Sequence, residues 1–165
     1  MLHTISSRPV TPRDIAAICR LHARVFGPGR FARTAYRVRE GKGLVSPYCR
    51  AVFDGDRLIA ALRFTEITIG DKGGALLLGP LAVEPARVGQ GFGRRLVADG
   101  LAEAKARGIR IVVLVGDLPY YGRFGFTPVP PGRITFPGPV NPERILAVEL
   151  ADGALADYQG LVRAT

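Results

Sequence analysis

Cysteine and histidine are scarce in this chain. Its 165 residues include two of each, Cys19, Cys49, His3 and His22, all isolated from one another. No C-x-x-C pair occurs and no histidine stands at ligand spacing, so neither a disulfide nor a bound metal is expected. Long apolar runs are also missing. None approaches the roughly 18 residues that a membrane-crossing helix needs, and the opening MLHTISSRPV has neither a basic start nor an apolar block of the secretory kind. A cytoplasmic protein without membrane contact is the expectation. There is no internal repeat and no low-complexity block. The length fits one domain, taken here as 1–165, that is able to bury a real core.

What is abundant is arginine. The net charge is +9, and of the 23 basic residues only Lys42, Lys72 and Lys105 are lysines. The arginines are scattered rather than gathered in a stripe. RNP-like strands, a zinc-finger pattern and a basic tail are all absent, which argues against a nucleic acid partner. A basic surface suits a polyanionic cofactor or an acidic substrate equally well.

Periodicity changes along the chain. TPRDIAAICRLHARVF reads as a helix with Thr11 as cap, Pro12 in the first turn and Asp14 at the positive end. Its buried face is expected to carry Ile15, Ile18, Cys19, His22, Val25 and Phe26. A second helix is expected from Phe31 to Glu40. YCRAVFDGDRLIAALRFTEITI reads as two strands joined around Asp54-Gly55, and GDKGG as the next turn. ALLLGPLAV is a continuous apolar strand of the doubly buried kind. Gly91 to Arg107 is an amphipathic helix with Phe92, Leu96, Val97, Leu101 and Ala104 on one face, and IRIVVLVGD is a further buried strand. ILAVEL is the last clear strand, after a Pro/Gly-rich loop from Pro128 to Pro142. The tail ADGALADYQGLVRAT is read as a short helix laid on the fold. The sum is a mixed α/β (α+β) chain, an antiparallel front half with a β-α-β unit behind it.

The β-α-β junction, LLLGPLAVEPARVGQGFGRRLV, holds glycines at 89, 91 and 93. A Walker loop needs G-x-x-x-x-G-K-S/T, whereas here Arg94-Arg95 follow the last glycine, so no lysine reaches a terminal phosphate and no hydroxyl is placed for magnesium. The dinucleotide fingerprint G-x-G-x-x-G fails at its third glycine, where Arg94 stands, and the strand that should present a ribose-binding acid runs IRIVVLVG before any acid appears. What remains is an anion at the start of a long helix, where unpaired amides and the helix dipole both favour negative charge. The alternative is a glycine turn made only for close packing.

The spacing V-G-Q-G-F-G, residues 88–93, after LAVEP, together with YYGRFGF at 120–126 after GD, resembles the GNAT superfamily of acyl-CoA-dependent N-acyltransferases. The superfamily motif is Arg/Gln-x-x-Gly-x-Gly/Ala for the pyrophosphate, with a tyrosine four residues before Gly-Phe later in the chain. Within the superfamily the combination is similar to a bacterial group of predicted acetyltransferases of unassigned substrate, and the order of elements supports it from about residue 4 to residue 150. Position 88 departs from the motif, since valine stands where arginine or glutamine is usual. Contact there falls to backbone amides, and a lower affinity is expected.

The resemblance implies a GNAT-like fold, a mostly antiparallel central sheet flanked by helices with a β-α-β core for acyl-CoA. It implies acetyl-CoA as acyl donor, no metal, and transfer to an amine by direct attack. The pyrophosphate would be held by Val88, Gly89, Gln90, Gly91, Phe92, Gly93 and Arg94. The pantetheine arm would lie along Leu81, Ala82 and Val83, with Leu114 and Val115 opposite. Tyr121 would be the proton donor to the leaving thiolate, with Tyr120 pointing elsewhere, and the Val83 amide would receive the oxyanion. Tyr121 also reads as an aromatic plug. Glu84 and Glu66 are the candidate bases, each readable as a solvated surface acid, and Asp117 reads as a cap. The acceptor site is expected between the first two helices, the loop from Phe26 to Phe31 and the loop from Arg133 to Pro139, whose arginines would suit an acidic acceptor. Small metabolite, peptide N-terminus, lysine side chain and tRNA-linked amine all stay open, as do monomer and homodimer. The rival classes are a non-catalytic acyl-CoA sensor, which would tolerate Tyr121→Phe, and a nucleic-acid-binding protein, whose binding would fall steeply with salt.

Overall fold

The computed structural model describes residues 4–28 and 34–165, so the expected helix start at residues 31–33 lies outside the described residues. Strand β1 (Ile5–Pro9) is followed by a 3-10 turn (Pro12–Asp14) and helix α1 (Ile15–Phe26), then by α2 (Thr34–Arg39). Next come the strands β2 (Arg50–Asp54), β3 (Arg57–Ile69) and β4 (Lys72–Val83), and helix α3 (Phe92–Ala106). Strand β5 (Ile111–Val115), the short α4 (Leu118–Tyr121), β6 (Thr127–Pro128), β7 (Ile134–Thr135), β8 (Ile145–Glu149) and β9 (Gly160–Ala164) complete the chain. The main path across the sheet is β1-β2-β3-β4-β5-β8-β6. Every neighbouring pair along it is antiparallel except β4 and β5, the two strands that α3 connects.

Local chemistry accounts for the front half. Asp54 pairs with Arg57 and Ile69 with Lys72, so both hairpins close through two residues. At the second, Gly70 and Asp71 both have positive φ, the conformation that matches the twist of flanking strands. At the helix entrance the Asp14 carboxylate accepts from the Thr11 amide and hydroxyl at 2.8 and 3.1 Å, and pairs with Arg8 at 2.8 Å. The buried face of α1 is narrower than its periodicity predicts. Ile18, Leu21 and His22 are buried with Val25 packed beside them, whereas Ile15 and Cys19 are exposed, because the face turned to the sheet includes Leu21 and leaves those two at its edge.

The tail departs from expectation too. Residues 154–157 form a 3-10 turn, and 160–164 form a strand rather than a helix. Strand β9 runs antiparallel to β3 at Ile67–Ile69, past the point where β2 has ended, and parallel to β7. Fully buried Tyr158 anchors it, its hydroxyl donating to the Gly73 carbonyl at 2.6 Å. The sheet offers an edge there, and tertiary pairing outweighs the weak local preference of GLVRA.

Two features of β4 position the site. Between Leu62↔Leu81 and Phe64↔Leu78, β3 advances two residues and β4 three, so Gly79-Pro80 carries one extra residue as a bulge. The bulge changes the parity of the strand. Leu76 and Leu78 face α3 before it, and Leu81 and Val83 pack on that same cluster after it. The second feature is divergence: β4 and β5 pair only from Ala75↔Ile111 to Leu77↔Val113, while β5 stays bonded to β8 through Val115. Beyond Leu77 the two parallel strands part, and a cleft opens between them.

Candidate active site

The mouth of that cleft is the glycine loop. A cavity of about 590 Å³ is lined by Leu81, Val83, residues 87–94, Tyr120 and Arg123. Gly89 and Gly91 have φ of 87° and 88°, and a Cβ at either would meet nothing within 4 Å, so both bring bare backbone to open space. Gly93 serves a different purpose. Its φ is ordinary, and a Cβ there would stand 2.8 Å from the Tyr120 hydroxyl and 3.4 Å from Leu81. Packing therefore explains Gly93, and conformation explains the other two.

Helix α3 starts at this loop. Its first i to i−4 bond runs from the Arg95 amide to the Gly91 carbonyl at 3.1 Å, so the amides of Phe92, Gly93 and Arg94 have no intrahelical acceptor. Gly91 is the N-cap and has no side chain to satisfy them. Arg87, Arg94 and Arg123 line the same cavity and no acid does, among the described residues. Arg87 is held by Asp54 at 3.0 Å and by Gln90 Oε1 at 3.0 Å, and Arg123 stacks on the Tyr120 ring. Val88 is largely exposed at the cavity. Amides, a helix N-terminus, the guanidiniums of Arg94 and Arg123 and the Asp54-paired Arg87, in a cavity that no acid lines, make a site for a polyanion.

A second cavity, of about 580 Å³, lies on the other side of the β4 bulge. Phe26 of α1, Thr34, Ala35 and Arg39 of α2, Leu78 to Leu81, Val115, Tyr121 and the segment Pro139 to Arg144 contribute to it. Leu81 lines both cavities. The adjacent tyrosines divide between them, their rings edge to face at 4.9 Å. Tyr121 faces the second cavity, and Tyr120 faces the glycine loop instead of turning away from the site. Tyr121 packs on Phe126, and its ring lies where a Cβ on Gly116 would come within 2.8 Å, so the glycine of GD-x-x-YY is the seat of that ring. Burial pushes the Tyr121 phenol up to about 12, with the nearby Tyr120 and Asp117 adding to the rise and Arg39 and Arg144 opposing it. The phenol is thus a protonated donor throughout the neutral range.

Several expected residues sit elsewhere. Leu114 is buried in the core beneath α3, and Val115 takes the place beside the cleft. The Ala82 side chain faces the α1 cluster, away from the cleft. Glu84 is locked by Arg24 at 2.7 Å with its side chain 12% exposed, and it lines neither cavity. Glu66 stands opposite Leu76, at the end where β4 and β5 are still paired, so the strand register keeps it out of the cleft. Asp117 holds the N-cap position of α4 without a side-chain cap and pairs with Arg144 at 3.2 Å. Arg133 donates to the Leu155 and Ala156 carbonyls and serves the C-terminal packing. Arg39 carried no signal in the sequence, and the glycine of GD-x-x-YY marks the motif without revealing that it seats the Tyr121 ring. Among the described residues, no three His, Cys, Asp or Glu side chains are grouped to hold a metal, and no helix is long and apolar enough to cross a membrane.

Comparison with known proteins agrees with this geometry. Residues 6–129 match the model of a family described as an acetyltransferase (GNAT) domain. The Escherichia coli K12 protein YhbS, described as an uncharacterized N-acetyltransferase, is 30% identical over 152 residues, covering 92% of this chain and 90% of its own. The crystal structure of Escherichia coli YhbS in complex with CoA superposes with a TM-score of 0.82 at 28% structure-aligned identity, covering 100% of this chain and 92% of that one. A GNAT family acetyltransferase from Brucella melitensis, solved with acetyl-CoA, gives a TM-score of 0.65 at 29% identity over 89% of this chain and 97% of that one. With its parted β4 and β5, its glycine loop and its seated tyrosine, the chain belongs to the GNAT acetyltransferase family.

Proposed function

We propose that the protein transfers the acetyl group of acetyl-CoA to a primary amine by direct attack within a ternary complex. The observation that carries this reading is Leu81. It lines both the polyanion cavity and the Tyr121 cavity, so a long ligand held at the glycine loop has one path to the tyrosine, along the freed edge of β4. The relatives solved with CoA and with acetyl-CoA support the choice of ligand.

Acetyl-CoA supplies the thioester. The amides of residues 89–94, with Arg87, Arg94 and Arg123, hold its pyrophosphate and phosphate charges; Val88 adds no charge, and the neighbouring arginines take over that duty. Leu81 and Val83 flank the arm, and the Val83 amide is the donor for charge developing on the carbonyl oxygen. The amine nitrogen forms the new bond to carbon as the carbon–sulfur bond breaks. The amine gives up one proton and the sulfur gains one, from Tyr121, whose raised pKa keeps that proton available. Neither Glu84 nor Glu66 reaches the cleft, so the amine arrives neutral, and the proton it sheds on bond formation passes through water, which returns one to Tyr121. Placing the two reactants together supplies much of the rate.

Calorimetric titration of acetyl-CoA, with CoA, NAD and ATP as comparisons, followed by thiol release over an amine panel, tests the proposal. Selective acetyl-CoA binding with amine-dependent thiol release is expected. Binding without turnover of any amine, unaltered by Tyr121→Phe, would make the protein an acyl-CoA-binding regulator. No binding of either CoA compound would end the acetyl-transfer reading.

A further inference from the structure

We infer that the acceptor is a small primary amine bearing an anionic group, a carboxylate or a phosphate, which Arg39 and Arg144 receive beside Tyr121. This rests on the acetyl-transfer reading and deepens it. The cavity of about 580 Å³ is of small-molecule size, and its walls mix apolar groups, Phe26, Leu78, Pro80 and Val140 among them, with polar ones such as Thr34 and Asn141. Arg39 and Arg144 are its charged lining residues among those described, and no carboxylate lines it. They come from opposite walls, α2 and the turn before β8.

Arg39 is 5% exposed, and its guanidinium reaches the bulge: a Cβ on Gly79 would stand 2.9 Å from Nη2. A bare backbone at that point makes room for the cation beside the cleft. Arg144 is half-exposed, and its partner Asp117 lies at 3.2 Å with a side chain 74% exposed, a solvated pairing that an incoming anion can replace or share. Both guanidiniums line the same cavity as Tyr121, and their charge opposes the rise that burial gives its phenol. A planar guanidinium binds carboxylate or phosphate through paired N–H donors, and it does so most strongly where apolar walls exclude water. Two cations in one small cavity disfavour a purely cationic guest. They accept an amino acid or an amino phosphate, whose anion joins the contacts that the two guanidiniums already make.

The test uses matched probes, β-alanine against β-alaninamide and phosphoethanolamine against ethanolamine. Each is titrated by ligand-observed NMR into the protein–CoA complex and assayed for thiol release with acetyl-CoA. Each anion is expected to bind roughly tenfold or more tightly than its neutral partner, and the larger of the two ratios tells carboxylate from phosphate. Arg144→Gln should cut the ratio several-fold. Arg39→Lys, which keeps the charge and the buried stem, should lower it less. Equal binding of anion and neutral partner, no binding by any anion, or an unchanged ratio in both variants overturns the inference. A protein that fails to bind CoA defeats the transfer reading alone, because the same panel titrated into the free protein still reads the charge preference.

Discussion

The glycine-loop cavity and the Tyr121 cavity meet at Leu81 but are built in different ways. The first draws most of its lining from residues 87–94, where backbone amides and a helix end do the work. The second is assembled from side chains on α1, α2, the β4 bulge, the end of β5 and the segment before β8. Backbone donors suit phosphate charge whatever the neighbouring side chains are, so valine at position 88 leaves the amides of the loop unchanged. Side chains from distant segments recognise one guest, and they change readily without disturbing the fold. On the proposed reading, the first cavity serves a cofactor common to the family and the second an acceptor particular to this chain.

The comparison breaks most visibly at Tyr121. Tyr121→Phe is expected to lower kcat on the order of a hundredfold while calorimetry finds acetyl-CoA affinity unchanged; loss of affinity instead would assign the tyrosine to the first cavity. The pH profile sharpens the same point. With the phenol raised to about 12, its donor form persists below that value. The rate should therefore rise with pH as the amine loses its proton, with no descending limb below about pH 10. A fall nearer neutrality would mean that another acid controls the reaction.

Gly91→Val should do the reverse of Tyr121→Phe. A β-branched residue at φ 88° is strained by about 1–2 kcal/mol, and its side chain would stand over the helix amides. Acetyl-CoA affinity should fall at least about tenfold, read by calorimetry. If affinity held, the glycine loop would not be the cofactor site.

Asp14→Asn is a control remote from both cavities. It should reduce stability by about 1–2 kcal/mol at pH 7, with cofactor affinity unchanged. Arg8 holds the Asp14 carboxylate at about 2, against an ordinary 3.8. A lowered pKa contributes stability above the ordinary value and loses it as pH falls, so parent and variant should converge in denaturant midpoint between pH 4 and pH 2. Gly93→Ala should have the smallest effect. The new methyl pushes on the Tyr120 hydroxyl, a movable group, while the helix gains propensity, so stability should stay within about 1 kcal/mol. Tyr120→Phe in the same chain should relieve what cost remains, and a double-mutant cycle measures that coupling.

Much of the glycine-loop cavity was legible because its signals are contiguous. Gly89, Gly91 and the start of α3 lie within a few residues, and the two-residue hairpins and the β-α-β unit follow from local pattern. Tyr121 was legible for the same reason, from its spacing to Gly125-Phe126. The bases were not. Glu84 and Glu66 are both acids near strand ends in sequence, but Arg24, sixty residues from Glu84, claims one, and the β3–β4 register carries the other to the paired end of the sheet. Leu114 and Val115 differ only in which face of β5 they occupy, and that depends on how the strand is packed.

The sequence by itself determined the elements that rest on near neighbours: the amphipathic helices, the tight turns, the exposed amides at the head of α3 and the class of ligand they suit. Tertiary structure alone decided the rest. It set the extra residue in β4 that keeps Leu81 and Val83 on the α3 face, the parting of β4 from β5, the recruitment of the tail as a strand, and the placing of Arg39 and Arg144 around one cavity. Those outcomes depend on strand register and long-range packing, where contacts join residues far apart in the chain and no local periodicity records the partner.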